Sequence, residues 1–334
     1  MVATRPLEAV MTLVYTYRTY MWAKGGWRQG DLSGAFKPYS AGLVIIDLLA
    51  RSDPRNADSQ RELSVSYEKI GDVQVAQGDL AGALTSYRDS FAIIDRLVTA
   101  SPKNAEWRRH ISISYDKIGE VQHAQGDPIG ALTSYRSSLA ITHHLARSDP
   151  GNVSLQFDLG ITNERIGDAQ FAQGDLIGAL ASYRAKFEIV RRLSQSDSAN
   201  AGWQRDLSVS HNKIGDVQIA QGDLIGALIS YRGGLAIIDP LAQSDPGNAG
   251  WQRDLSVSYE KIGKVQVAQG DLAGALTSYR DSLAIKEMGN RADASQSLRQ
   301  SHAIVVRMTA LSPDNVQWKQ DLDWLASRIA ELSQ

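Results

Sequence analysis

Residues Gln77–Arg88 read QGDLAGALTSYR, and this stretch decides how the rest of the chain is read. It returns as QGDPIGALTSYR from Gln125, QGDLIGALASYR from Gln173, QGDLIGALISYR from Gln221 and QGDLAGALTSYR from Gln269, a fixed period of 48 residues. A worn copy, QGDLSGAFKPYS, starts at Gln29. A period of this size marks a repeat array, in which each unit buries its apolar face against the next instead of enlarging one core.

Working outward from Gln77, the spacing predicts two helices per unit. Asn56 follows the turn Ser52-Asp53-Pro54 and suits a helix N-cap. Leu63, Tyr67, Ile70 and Gln74 then recur on one helical face. Gly78 supplies a left-handed stop, and Asp79 caps a second helix. In that helix Leu80, Ala83, Leu84, Tyr87, Phe91 and Ile94 form one stripe up to Ser101-Pro102. Each helix of roughly 20 residues would be about 30 Å long, and so short a joining turn demands a tight helical hairpin.

The order and spacing of Tyr67, Ile70, Gly71, Gly78, Ala83, Tyr87 and Ser90 resemble the tetratricopeptide repeat, over nearly the whole chain. The unit is longer than the family's roughly 34 residues, in the manner of kinesin light chains and bacterial scaffold arrays. Its second helix also lacks the family's proline at the usual place. The resemblance implies an all-α, right-handed superhelical solenoid of helix hairpins. The expected division is a degenerate repeat or cap over 1–52, five regular repeats over 53–288 and a helical cap over 289–334. Trp318 repeats the Trp251 position after an insertion near Gly289-Asn290, leaving two more helices, about 292–311 and 315–332. At the other end, Pro38 is expected to kink or delay a helix. Tyr15, Tyr17, Tyr20, Trp22 and Trp27 make that end aromatic, as a cap face or a self-association surface.

Composition narrows the function. The chain has 334 residues, 43% of them hydrophobic, a formal charge of −2 and no cysteine. No global basic field is present to hold nucleic acid or an anionic membrane. Disulfides and thiol catalysis are excluded. The opening MVATRPLEAVMTLVYTYRTYMW lacks the pattern of a signal peptide, and no run approaches ~18 consecutive apolar residues. A cytoplasmic protein is expected.

No catalytic motif survives inspection. The dinucleotide and phosphate-loop glycine patterns and His-Glu-x-x-His are all missing. Among six histidines only His143 and His144 are adjacent, and neighbours on a helix diverge by ~100°. No metal, no cofactor and no enzymatic activity are expected. The Gln74 column (Gln122, Gln170, Gln218, Gln266) is expected to face other helices and satisfy its amides as a ladder through the stack. Arg88, Arg136, Arg184, Arg232 and Arg280 read as an outer face.

A second stripe on the first helix, Val65, Glu68, Asp72 and Val75, differs from the core one. By the resemblance, its equivalents line a concave groove that grips extended peptides. Through the repeats it gives Glu68 and Asp72, Asp116 and Glu120, Glu164 and Asp168, Asn212 and Asp216, then Glu260 and Lys264. Val75, His123, Phe171, Ile219 and Val267 run alongside. An ordinary solvated face explains the same charges, because Lys69, Lys117, Arg165, Lys213 and Lys261 stand at the next residue and, in all but the last repeat, can pair with an acid three residues on. The expectation is a scaffold that holds a protein or peptide, cationic and partly apolar, with no nucleic acid and no membrane. A self-assembling module and a regulatory arm of a bacterial signalling system are the alternatives.

Overall fold

A computed structural model describes residues 32–289, 291–311 and 313–332. The aromatic cluster from Tyr15 to Trp27 lies outside them. The described residues form thirteen α-helices and no strand, an all-α helical-repeat solenoid. They divide into two compact units, one on either side of the junction between Gln173 and Gly174.

The first unit holds α1 (Leu32–Ser52), α2 (Ala57–Ala76), α3 (Leu80–Ala100), α4 (Ala105–Ala124), α5 (Pro128–Ser148) and α6 (Val153–Ala172). In the second are α7 (Leu176–Ser196), α8 (Ala201–Ala220), α9 (Leu224–Ser244), α10 (Ala249–Gln269), α11 (Leu272–Gly289), α12 (Arg291–Leu311) and α13 (Val316–Leu332). We call α2, α4, α6, α8 and α10 the A helices and α3, α5, α7, α9 and α11 the B helices.

Local chemistry fixes the boundaries. Asn56 Oδ1 accepts from the Ser59 amide at 3.0 Å, and Asn104, Asn200 and Asn248 cap α4, α8 and α10 in the same way. Without such acceptors the first helical N–H groups would be unsatisfied. Gly78 has φ +79°, and its copies through Gly270 share that left-handed conformation, which glycine alone adopts without a Cβ penalty. Asp79 then accepts from the Gly82 amide at 2.9 Å and starts α3. Asn315 caps α13 by accepting from Trp318, repeating the Asn248–Trp251 arrangement.

Packing follows a single scheme in both units. Ala83 and Tyr87 of α3 bury against Ile118 and Val121 of α4, and Ala131 and Tyr135 of α5 against Ile166 and Ala169 of α6. In the second unit, Ala179 and Tyr183 meet Ile214 and Val217, while Ala227 and Tyr231 meet Ile262 and Val265. Each of these four B helices therefore packs on the next A helix with a fully buried alanine at the contact. The array closes on Leu298, Val305, Met308 and Leu325 of α12 and α13, which pack with Ala275, Tyr279 and Leu283.

Three expectations need correction. The helix carrying Pro38 starts at Leu32 and runs on to Ser52, so the proline does not delay it. It removes one backbone donor without ending the helix. At four of its five places the glutamine column bonds within its own hairpin and not along the stack. Gln74, Gln122, Gln218 and Gln266 each accept from a serine of their own hairpin (Ser86, Ser134, Ser230, Ser278) at 2.6–2.7 Å. A partner twelve residues away across the tight turn is nearer than the next repeat. The arginine column is exposed at Arg88, Arg136, Arg184 and Arg232, but Arg280 Nη2 meets Asp321 Oδ1 of α13 at 2.9 Å. Helix α9 is long and apolar enough to cross a membrane by length and composition. It is the second helix of a hairpin, with Ala227, Tyr231, Ile238 and Ala242 buried.

Candidate functional site

The A helices present the stripe chosen from the sequence, and the two units are taken in turn. In the first, Asp72 of α2 sits at a crossroads. Its Oδ2 receives Lys69 Nζ at 3.2 Å, and its Oδ1 receives Lys117 Nζ of α4 at 2.9 Å and the Tyr87 hydroxyl at 2.9 Å. Burial opposes ionisation of Asp72, yet the bond and charge from Lys117, then Lys69 and Tyr87, leave its pKa below the ordinary value. Burial and the Asp72 carboxylate together push the Tyr87 hydroxyl far above the usual tyrosine range.

Glu68 faces inward. It accepts from Ser90 Oγ of α3 at 3.2 Å and Ser114 Oγ of α4 at 3.5 Å, and burial raises its pKa despite the Ser90 bond. Asp116 is deeper still, only 6% exposed. Its Oδ2 receives Arg165 Nη1 of α6 at 2.9 Å and Thr162 Oγ1 at 3.1 Å. Burial dominates all the same and lifts its pKa to about 6. Arg165 is shared, since its Nη2 also meets Glu120. Glu164 and Asp168 lie half-buried on α6.

In the second unit, Asn212 is buried and donates from Nδ2 to Ser258 Oγ at 3.3 Å. Asp216 accepts from the Tyr231 hydroxyl at 2.7 Å and from Lys261 of the next A helix. Glu260 is buried against Lys286 Nζ at 2.5 Å, and Lys264 is exposed.

The acids are thus partnered, but chiefly not within their own helix. Lys117, Arg165 and Lys261 reach back to Asp72, Glu120 and Asp216 of the preceding repeat, and Lys69–Asp72 follows the expected i, i+3 pattern. These bridges tie neighbouring A helices together. At the last turn of the A helices, Val75 (40% exposed), His123 and Phe171 (37%) stand free on the first unit, and Ile219 (37%) on the second. Val267 differs, being packed against the C-terminal core that α12 and α13 complete.

Sequence reasoning missed the hydroxyls that hold the inner acids. Their signal is present in the repeat: Ser66, Ser114, Thr162, Ser210 and Ser258 stand two residues before the acidic column in every copy. Among the described residues, no group of three or more His, Asp or Glu side chains is placed to hold a metal ion.

No family model matches the sequence, and no curated protein matches it either. Solved structures do. BtubC (BKLC) from P. vanneervenii aligns with a TM-score of 0.61 at 18% identity, over 78% of this chain and 92% of its own. The apo form of RapI aligns at 0.54 and 15% identity, over 79% and 84%. A signal transduction ATPase with numerous domains and a tetratricopeptide repeat sensor, from Pyrococcus horikoshii, aligns at 0.54 and 11% identity. There the match covers 96% of this chain and 48% of that one. What is shared at these identities is the fold: the chain is built as a tetratricopeptide-type helical repeat.

Proposed function

We propose that this chain is a non-enzymatic interaction scaffold whose A-helix face holds an extended, basic and amphipathic segment of a partner protein. The observation that carries the reading is the free row Val75, His123 and Phe171, set one turn beyond the carboxylates of the same helices. Large side chains left exposed in register invite an apolar partner. Because Lys69, Lys117 and Arg165 already neutralise much of the acidic stripe, the apolar row supplies most of the affinity. The acids then select a basic segment more than they hold it, since each exposed pair is worth under ~1 kcal/mol.

The test is capture of partners from the native host on the wild type, on Phe171→Ser, and on Glu164→Lys with Asp168→Lys. A partner held by this face is lost from Phe171→Ser and weakened by the double lysine variant, with helicity unchanged in both. Equal capture on all three overturns the reading. A second reading, a sensor arm acting on a separate effector, is supported by the Pyrococcus protein, in which a tetratricopeptide repeat segment is the sensor. Co-capture of a nucleotide-hydrolysing partner with the host ligand would favour it.

A further inference from the structure

In the second unit the B helices turn large apolar side chains towards solvent. Ile177 of α7 is 81% exposed, and Ile225 and Ile229 of α9 are 71% and 68% exposed. On α9, Ile225, Ile229, Arg232, Ala236 and Pro240 follow at spacings of four and three, which makes them one stripe. It lies on the side away from the buried Ala227, Tyr231 and Ile238. Arg232 is its one charge, and neither Arg232 nor the exposed Arg184 of α7 makes an ion pair among the described residues. The nearby acids Asp175 and Asp223 cap their helices by accepting from the Gly178 and Gly226 amides. Apolar side chains this exposed, beside free guanidinium groups, fit a partner that brings apolar groups and a carboxylate.

The chain itself shows how this arginine place is filled. Arg280 of α11, one period after Arg232, has Nη2 2.9 Å from Asp321 Oδ1 of α13, and Leu325 of α13 is buried in one core with Tyr279 of α11. The other side of α13 holds a second acid. Val316 (65% exposed), Asp323 and Trp324 (47%) face away from the buried Leu325. Asp323 follows Val316 by seven residues, as Arg232 follows Ile225 and Arg184 follows Ile177. Seven residues are about two helical turns, or about 10.5 Å. A helix laid parallel to α9 with Val316 at Ile225 therefore brings Asp323 to Arg232. Lys319 lies to one side of the line from Val316 to Asp323, and Trp324 lies to the other.

We propose that these two surfaces join copies of the chain: the outer side of α13 of one copy docks on the isoleucine and arginine stripe of α7 and α9 of the next. Charge and spacing select the occupant, since α13 carries an exposed acid and apolar neighbours at the separation the stripe requires. The two surfaces differ, so the contact is heterologous, and its repetition builds rings or open chains. It leaves the A-helix face free, so self-association and partner capture are separate properties.

The test is sedimentation velocity of the full chain from micromolar to submillimolar concentration. A patch of this size gives weak, reversible association, with average mass rising with concentration and falling in high salt. Trp324→Ser and Ile229→Ser should each weaken it roughly tenfold or more, the scale of losing an interface anchor. Both positions are exposed, so helicity should be unchanged. Each variant keeps one of the two surfaces, and an equimolar mixture should form pairs of one chain of each kind and no longer assemblies. Asp323→Arg and Arg232→Asp should each weaken association, and the two together should restore it. Phe171→Ser on the A-helix face should leave it unchanged. The mass of a single chain at every concentration overturns the interface. So does association undiminished in both serine variants, which would place the contact elsewhere on the chain, or a mixture of those variants that does not pair.

Discussion

Lys117 reaches back one repeat to Asp72, with Nζ 2.9 Å from Oδ1, while the same Nζ lies 5.8 Å from the centre of the Tyr87 ring. One ammonium thereby joins the A helix of one hairpin to both helices of the hairpin before it. The arrangement recurs where Lys261 meets Asp216 beside the Tyr231 ring. Both partners of the first pair are about one-third exposed, so the coupling is moderate. A double-mutant cycle of Lys117→Met and Asp72→Asn should return about 1 kcal/mol in urea unfolding. A coupling energy indistinguishable from zero would show the bridge to be ornamental.

The approach of A to B helix within a hairpin depends on a missing methyl. A Cβ on Gly119 would lie 2.5 Å from Tyr135 Cε1, in a ring only 3% exposed. Gly→Ala inside a helix normally stabilises by up to ~1 kcal/mol. Here the clash should reverse the sign and cost about 1–3 kcal/mol. Gly42 in α1, with nothing within 4 Å of its added Cβ, is the internal control and should gain stability on Gly42→Ala. Thermal midpoints moving the same way in both variants would contradict this packing.

Between B helix and the next A helix the contact is an alanine. Ala179 is fully buried among Tyr183, Ile214 and Val217. Ala179→Leu should overpack that layer and cost about 1–3 kcal/mol or more. An unchanged denaturation midpoint would show that the two helices do not meet there.

Asp116 makes stability fall as pH rises. Burial lifts its folded pKa to about 6 from an ordinary value of 3.8. Between those values the folded chain keeps a proton that the unfolded chain has released. The contribution is therefore fully present below pH 3.8 and is lost as pH rises through about 6. The whole window is worth on the order of 2–3 kcal/mol. Relative to Asp116→Asn, the wild type should become less stable from pH 4.5 to 7.5, as followed by urea midpoints. A difference that is flat or opposite in sign would refute the assignment.

The C-terminal helices cover the last repeat. Removal of residues 291–334 would uncover Ala275, Leu276, Tyr279 and Leu283 of α11, which now pack with Leu298, Val305 and Met308. Light scattering should show association of the truncated chain, because a terminal repeat without a polar outer face exposes its apolar layer. A monodisperse truncation would mean that α12 and α13 are dispensable.

The hairpins were legible because every device that makes them is local. Asn56 caps, Gly78 turns and Asp79 restarts within a few residues, and the 48-residue period repeats the message. The acidic stripe was legible as a face, since helical spacing fixes which side chains share a side. What each acid touches was not. Lys117 was expected to pair three residues along its own helix; the structure joins it to Asp72, because stacking brings the preceding A helix alongside. Glu68 and Asp116 sit one turn above Asp72 and Glu120 on the same stripe, yet they turn towards the interior and its hydroxyls.

By itself, then, the sequence determined the period, the two-helix unit with its caps and glycine turn, and the identity of the side chains on the A face. Those follow from backbone preference and spacing along one chain. Tertiary structure alone decided burial and partnership: that Asp116 is hidden against Arg165 and Thr162, that Val267 is covered while Phe171 is free, and that the bridging cations serve the repeat behind them. Desolvation and pairing depend on which helices come to lie side by side, and a period read along one dimension carries no distance between its copies.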